Sequence, residues 1–219
     1  MVEQNVPQRD SAALITVDMQ NDFLRSDSPV KASGVKSALP NIERLVRGFR
    51  EHRKPIFHSV RLYRPDGTNV DLFRRTAVEE GMRVLMPGTR GADLVAEISP
   101  CKARLMPDAL LAGEFQELAR NEYAFYKPRW GAFFSTGLDA QLRELGITTI
   151  VICGVNFPTG GRATVYEGAA RDYRVIVVGD ALGDASEDSL RELGRLGAYQ
   201  KTTSACLEWL AGGQRSSAA

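Results

Sequence analysis

The sequence predicts an α/β fold in three layers, α/β/α, built on a doubly wound, mostly parallel sheet. Two observations carry this. Short apolar runs rich in β-branched residues alternate with segments whose apolar residues recur at helical spacing. The runs are near-continuously apolar, as strands covered on both faces are. Right-handed crossovers then put helices on both faces and set ligand sites beyond the carboxyl ends of the strands.

The elements follow in order. Residues 1–11 are polar and read as a flexible N-terminus. Residues 12–17 form a buried strand, followed by "DMQNDF". In "ALPNIERLVRGFREHRK" the residues Ile42, Leu45, Val46 and Phe49 recur as one helical face. "PIFHSVRLY" is a second strand. Residues 64–107 are rich in Gly, Pro and Arg and read as loop with short helices, either a functional lid or a surface excursion. A third strand ends near Lys127. "GLDAQLRELG" is a helix with Leu138, Leu142 and Leu145 on one face and Gly146 at its stop. "TTIVICGV" is a fourth strand, 162–172 a helix and "YRVIVVGDAL" a fifth strand. "SEDSLRELGRLG" is a further helix, with "SEDS" supplying an N-cap and first-turn acids. One domain therefore spans 12–211, and 212–219 read as a flexible tail.

Composition narrows the function classes. The chain has 219 residues, 43% hydrophobic and 25% charged, which suits one ordinary globular domain. A net charge of +1 and the lack of a basic run give no field for nucleic acid or an anionic membrane. No apolar run reaches the roughly 20 residues of a membrane span, and no secretory h-region begins the chain. Three widely spaced cysteines, Cys101, Cys153 and Cys206, suit a reducing, cytoplasmic location better than a disulfide framework. Cys153, inside an apolar run, reads as a buried inert thiol. Two histidines, His52 and His58, cannot by themselves build a histidine-rich metal site, and no cofactor is expected. The expected partner is a small-molecule substrate.

Three polar features fall at the carboxyl ends of strands: Asp18, Lys127 and the "NFPTGGR" turn of Asn156 to Arg162. Asp18 and Lys127 form either an acid–base pair in a pocket or a turn cap and a solvent-facing lysine. The N–H groups around Gly160 and Gly161 either hold an anion at a helix start or make a plain strand-to-helix turn. Gln20, Phe23, Trp130 and Phe157 are candidate pocket walls or packing residues. Arg162 either holds a substrate carboxylate or pairs with a nearby acid. Arg61, Arg64, Arg74 and Arg75 either reach an anionic ligand or line a surface. "GTRGAD" is not a dinucleotide fingerprint.

"ALITVDMQNDF", "YKPRWGAFFSTGLDAQLRELGITTIVICGV" and "RATVYEGAARDYRVIVVGDAL" together resemble the isochorismatase-like hydrolases, the cysteine hydrolase superfamily. The resemblance runs from about residue 12 to 205. It implies a six-stranded parallel sheet, a homo-oligomer, and hydrolysis of C–N bonds in small amides by an Asp–Lys–Cys triad. It also implies a non-proline cis peptide at Val155–Asn156. Asp18 matches the family Asp and Lys127 the family Lys, but Gly160 stands at the nucleophile position; the nicotinamidase metal motif has no counterpart, so no metal is expected.

Three readings of Gly160 stand open. True isochorismatases resemble this chain in keeping Asp and Lys with glycine at that position, and they cleave a vinyl ether with Asp as general acid. Alternatively the chain is a small-amide hydrolase whose Cys has become Gly, as "NFP" and "RATVYE" suggest, and covalent catalysis is lost. The third reading is a non-catalytic binding protein on the same fold.

Overall fold

The computed structural model describes residues 4–155 and 157–212. Its elements are β1 (Ala12–Val17), α1 (Asn21–Leu24), α2 (Val35–Glu51), β2 (Ile56–Val60), α3 (Leu72–Glu79), α4 (Pro107–Leu111), β3 (Gln116–Ala119) and β4 (Glu122–Tyr126). Then follow α5 (Leu138–Glu144), β5 (Thr149–Gly154), α6 (Arg162–Ala169), β6 (Arg174–Leu182), α7 (Glu187–Arg195), β7 (Tyr199–Lys201) and α8 (Thr203–Leu210). One π-helical turn, Phe157–Gly161, leads into α6.

The sheet order is β3-β4-β2-β1-β5-β6-β7. All neighbours pair in parallel except β3, which runs antiparallel to β4. Among the described residues the sheet thus has seven strands, not the expected six. The five strands read from the sequence are the well-buried ones. The two additions are edge strands: β3 is half exposed, and β7 is three residues, Tyr-Gln-Lys. Neither offers the apolar run that marks a buried strand.

Side chains of β1 alternate between two cores, as a period of two requires. Leu14 packs with Ile42, Leu45 and Phe49 of α2, while Ala13, Ile15 and Val17 pack with Leu138, Leu142 and Val165 on the opposite face. Helices on both faces bury both sides of the sheet. Ser186 caps α7 as "SEDS" predicts: its Oγ accepts from Ser189 N at 3.2 Å, and Ser186 N donates to Ser189 Oγ at 3.0 Å.

Beyond the ends, Gln8 N donates to Thr149 Oγ1 at 2.8 Å, and Ser11 Oγ lies 2.6 Å from Thr148 Oγ1. These bonds tie the approach to β1 onto the start of β5. Residues 1–3, the tail from 213 onward and the expected cis peptide at Val155–Asn156 lie outside the described residues. Among the described residues no helix is long and apolar enough to cross a membrane.

Strand order decides where a site forms. From β1 the chain winds outward through β2 and β4, then returns to place β5 on the other side of β1. The direction of winding reverses between β1 and β5, which opens a crevice beyond their carboxyl ends. Gly154 closes β5 there with φ 130°, and a Cβ on it would lie 2.3 Å from Val17 O. Only glycine allows the two strand ends to approach so closely.

Candidate active site

Asp18 follows β1 directly and adopts φ 55°, the left-handed region that a non-glycine residue rarely occupies. Two backbone bonds hold it there: Asp18 N donates to Ser59 O at 3.1 Å, and Gln20 N donates to Asp18 O at 2.8 Å. Strain of this kind persists where surrounding structure over-determines it. The residue is only 3% exposed.

Lys127 follows β4 and is fully buried. Its Nζ lies 2.9 Å from Asp18 Oδ1 and donates to Oδ2 at 3.2 Å; the better hydrogen-bond geometry is at Oδ2, although Oδ1 is nearer. Nζ also donates to Trp130 O at 2.9 Å. Burial pushes the Lys127 ammonium down to about 8, against the attraction of Asp18, and the Arg61 guanidinium lowers it further.

Gly160 is the third member. It is buried in the π-turn, and its carbonyl accepts from Thr164 Oγ1 at 2.7 Å. A Cβ built on it would lie 3.1 Å from Asp18 Oδ2, 3.1 Å from Val17 Cγ1 and 3.4 Å from Trp130 O. Any side chain at 160 would therefore start against the Asp18 carboxylate. Asp18, Lys127 and Gly160 come from three distant parts of the chain and meet at one sheet edge.

The other expected site residues separate into two groups. Gln20 is buried, and its amide is fully engaged: Oε1 accepts from Arg61 N at 2.7 Å, while Nε2 donates to Arg61 O at 2.7 Å and Ala92 O at 2.6 Å. Phe23 lies in the α2-side core and Phe157 in the opposite one. A Cβ on Gly161 would lie 3.0 Å from Phe157 Cδ2, so this glycine makes room for the ring. Arg162 forms an ion pair with Glu192 and lies over the Tyr166 ring at 5.9 Å. Trp130 alone of the expected walls lines an open cavity, of about 600 Å³, with Asp71, Leu72, Phe73, Arg129, Phe134, Ala163 and Glu167. Asn156 lies outside the described residues.

Sequence reasoning missed several contributors. Asn21 Nδ2 donates to Arg90 O at 2.8 Å and Asp93 O at 3.0 Å, and Asp22 Oδ2 accepts from Leu85 N at 2.6 Å. With Gln20, they clamp the long excursion of residues 64–107 onto the sheet edge. A polar "QND" run directly after a buried strand was the signal. Asp71, which pairs with Arg61 at 2.8 Å, was also missed; nothing local marks it.

Two other polar groups are occupied elsewhere. His58 is buried with Nδ1 2.7 Å from Thr16 Oγ1 and Nε2 2.8 Å from Glu122 Oε1. Glu122 also receives both Nε and Nη2 of Arg50. Cys153 lies fully buried in β5, and burial pushes its thiol far above the ordinary range. Among the described residues no group of three or more His, Cys, Asp or Glu side chains is arranged to hold a metal ion.

Comparison with known proteins agrees with this architecture. The family model described as isochorismatase domain matches residues 12–203. The chain is 34% identical to a protein of Arabidopsis thaliana named probable inactive nicotinamidase, over 81% of this chain and 83% of that one. It is similar to the crystal structure of an isochorismatase family protein from Desulfovibrio vulgaris, with 29% identity, TM-score 0.78, and 92% and 98% of the two chains covered. It is also similar to N-carbamoylsarcosine amidase from Thermoplasma acidophilum, with 25% identity, TM-score 0.68, and 88% and 96% covered. On the evidence of its fold, its matched span and its relatives, the chain belongs to the isochorismatase family of hydrolases.

Proposed function

We propose that this chain hydrolyses a small polar molecule by acid–base chemistry at Asp18 and Lys127, without a covalent thiol intermediate, and that the bond cleaved is of the vinyl-ether type. The observation that carries this is the contact at Gly160. The acid lies against a position with no side chain, and the Cβ site is already crowded at 3.1 Å. A side chain there would need its neighbours to give by a few tenths of an ångström, which supports a site that works with none at 160.

The chemistry then runs through the pair. In the reactive state the Asp18 carboxyl carries a proton of its own, passes it to the terminal enol carbon, and is left as a carboxylate beside the Lys127 ammonium. The oxocarbenium left behind takes up water. The hemiketal loses the alcohol to give a ketone, and the proton released by water returns to the pair. The Lys127 ammonium stabilises the Asp18 carboxylate while its proton is on the substrate.

The test is turnover of isochorismate and of a panel of small amides, read by mass spectrometry, for the unaltered chain and for Asp18→Asn. Vinyl-ether cleavage that disappears in Asp18→Asn is expected. Turnover untouched by that change would overturn the proposal.

A second reading, an amide-binding relative without turnover, is favoured by the similarity to a probable inactive nicotinamidase. It predicts ligand-induced stabilisation without product. For assembly we propose a homo-oligomer. Light scattering of the unaltered chain should report a species larger than a monomer.

A further inference from the structure

Beside the Asp18–Lys127 couple lies a second buried ion pair whose hydrogen bonds are spent unevenly. Asp71 precedes α3 and stands on the wall of the 600 Å³ cavity. Its side chain is only 7% exposed. Oδ2 accepts from Arg61 Nη1 at 2.8 Å and from Tyr63 OH at 2.7 Å, and Arg74 Nη1 approaches it to 3.7 Å. Oδ1 of the same carboxylate is buried and has no hydrogen-bond partner among the described residues. Two hydrogen bonds and a further guanidinium gather on Oδ2, and none of them serves Oδ1.

An empty acceptor on a buried carboxylate is unfavourable unless something fills it. Asp71 is ionised: burial raises its carboxyl, but the Tyr63 hydroxyl and the Arg61 guanidinium outweigh that and hold it below the usual range. Arg61 is already neutralised by Asp71, so that pair presents no spare positive charge to an anion, and the other two charges on the cavity wall, Arg129 and Glu167, are of opposite sign. The apolar side chains Leu72, Phe73, Trp130 and Phe134 line the same cavity and suit a ring-sized body. Trp130 lies between this cavity and the couple: it lines the cavity, and its backbone carbonyl receives Lys127 Nζ, whereas Asp18 and Lys127 themselves lie behind the lining.

We propose that Asp71 Oδ1 is a specificity determinant that accepts a hydrogen bond from a neutral N–H or O–H group of the substrate. The cleft thereby selects carboxamides and alcohols over carboxylates at this point. The inference rests on reading this cavity as the substrate pocket of the Asp18–Lys127 site. It does not depend on which bond is broken.

The test is calorimetric titration of the Asp18→Asn protein and of the unaltered chain with benzamide, benzyl alcohol and benzoate at neutral pH. Benzamide and benzyl alcohol should each bind about tenfold more tightly than benzoate, the difference one buried charged hydrogen bond provides. Asp71→Asn, whose amide offers a donor as well as an acceptor, should erase that preference. If loss of its counter-ion leaves Arg61 buried and the variant unfolded by circular dichroism, the three probes on the Asp71-containing proteins still decide. Equal affinities, tighter benzoate, or no binding of any probe at millimolar concentration would overturn the proposal. A neutral-ligand preference in a chain that turns nothing over would leave Asp71 standing and sink the hydrolytic reading instead.

Discussion

Lys127 Nζ lies 2.9 Å from Asp18 Oδ1 across 109 residues of chain, with both side chains almost wholly removed from water. Removing either partner strands a buried charge. Lys127→Met and Asp18→Asn should each lower stability by about 3–5 kcal/mol, and the double variant by less than their sum. Denaturant titration of the four proteins closes this cycle. Additive losses would show that the two groups are not coupled.

The pair should also set the alkaline limb of activity. The folded pKa of Lys127, about 8, lies below its ordinary 10.5. Between those values the unfolded chain binds more protons than the folded one, so the contribution of this group to stability rises with pH across the window. Turnover should move the other way and fall as the ammonium is lost near pH 8. A rate profile flat to pH 10 would contradict the assigned role.

Glu122 should govern part of the acid limb. Burial raises its carboxyl, but the bonds from Arg50 and His58 overcome this and bring it down to about 2 from 4.5. A depressed acid contributes stability above its unfolded pKa and loses it as pH falls from 4.5 toward 2. Glu122→Gln should therefore flatten the pH dependence of the melting temperature in that window. An unchanged slope would assign acid sensitivity elsewhere.

Gly160→Cys places a side chain whose Cβ starts 3.1 Å from Asp18 Oδ2 and Val17 Cγ1. Relieving those contacts should cost about 1–3 kcal/mol in stability. If the chain descends from an amidase site, the new thiol should form a trappable adduct with iodoacetamide and hydrolyse small amides slowly. Gly160→Ala is the control, with the same crowding and no nucleophile. Adduct formation without any amide turnover would count against that descent.

Gln20→Leu should uncouple the excursion from the sheet. It removes three hydrogen bonds, to Arg61 N, Arg61 O and Ala92 O, and leaves those backbone groups buried. A loss of about 1–3 kcal/mol is expected, with faster amide exchange across residues 85–95. Exchange unchanged in that segment would show that Asn21 and Asp22 suffice as clamps.

The comparison of sequence with structure is instructive at particular residues. Ala12–Val17, Thr149–Gly154 and most of Arg174–Leu182 are legible because strands buried on both faces need apolar side chains at nearly every position. Gln116–Ala119 and Tyr199–Lys201 are not, because an edge strand owes its pairing to a neighbour and not to its own pattern. Gln20 was legible as a residue of note, but its work was not. Its partners lie 41 and 72 residues away, and a side-chain amide carries no mark of which backbone it will meet.

By itself the sequence determined the layered α/β architecture, the strand ends that carry Asp18 and Lys127, and the absence of a side chain at Gly160. Periodicity and residue identity are local, and these features depend on nothing else. Only the tertiary structure decided that the reversal of winding between β1 and β5 brings those three residues within contact. It alone showed that Phe23 and Phe157 serve the core, and that Asp71, on the cavity wall, has one carboxylate oxygen without a partner among the described residues. Such facts depend on distances between segments far apart in the chain, which burial and hydrogen-bond satisfaction of the whole fold set together.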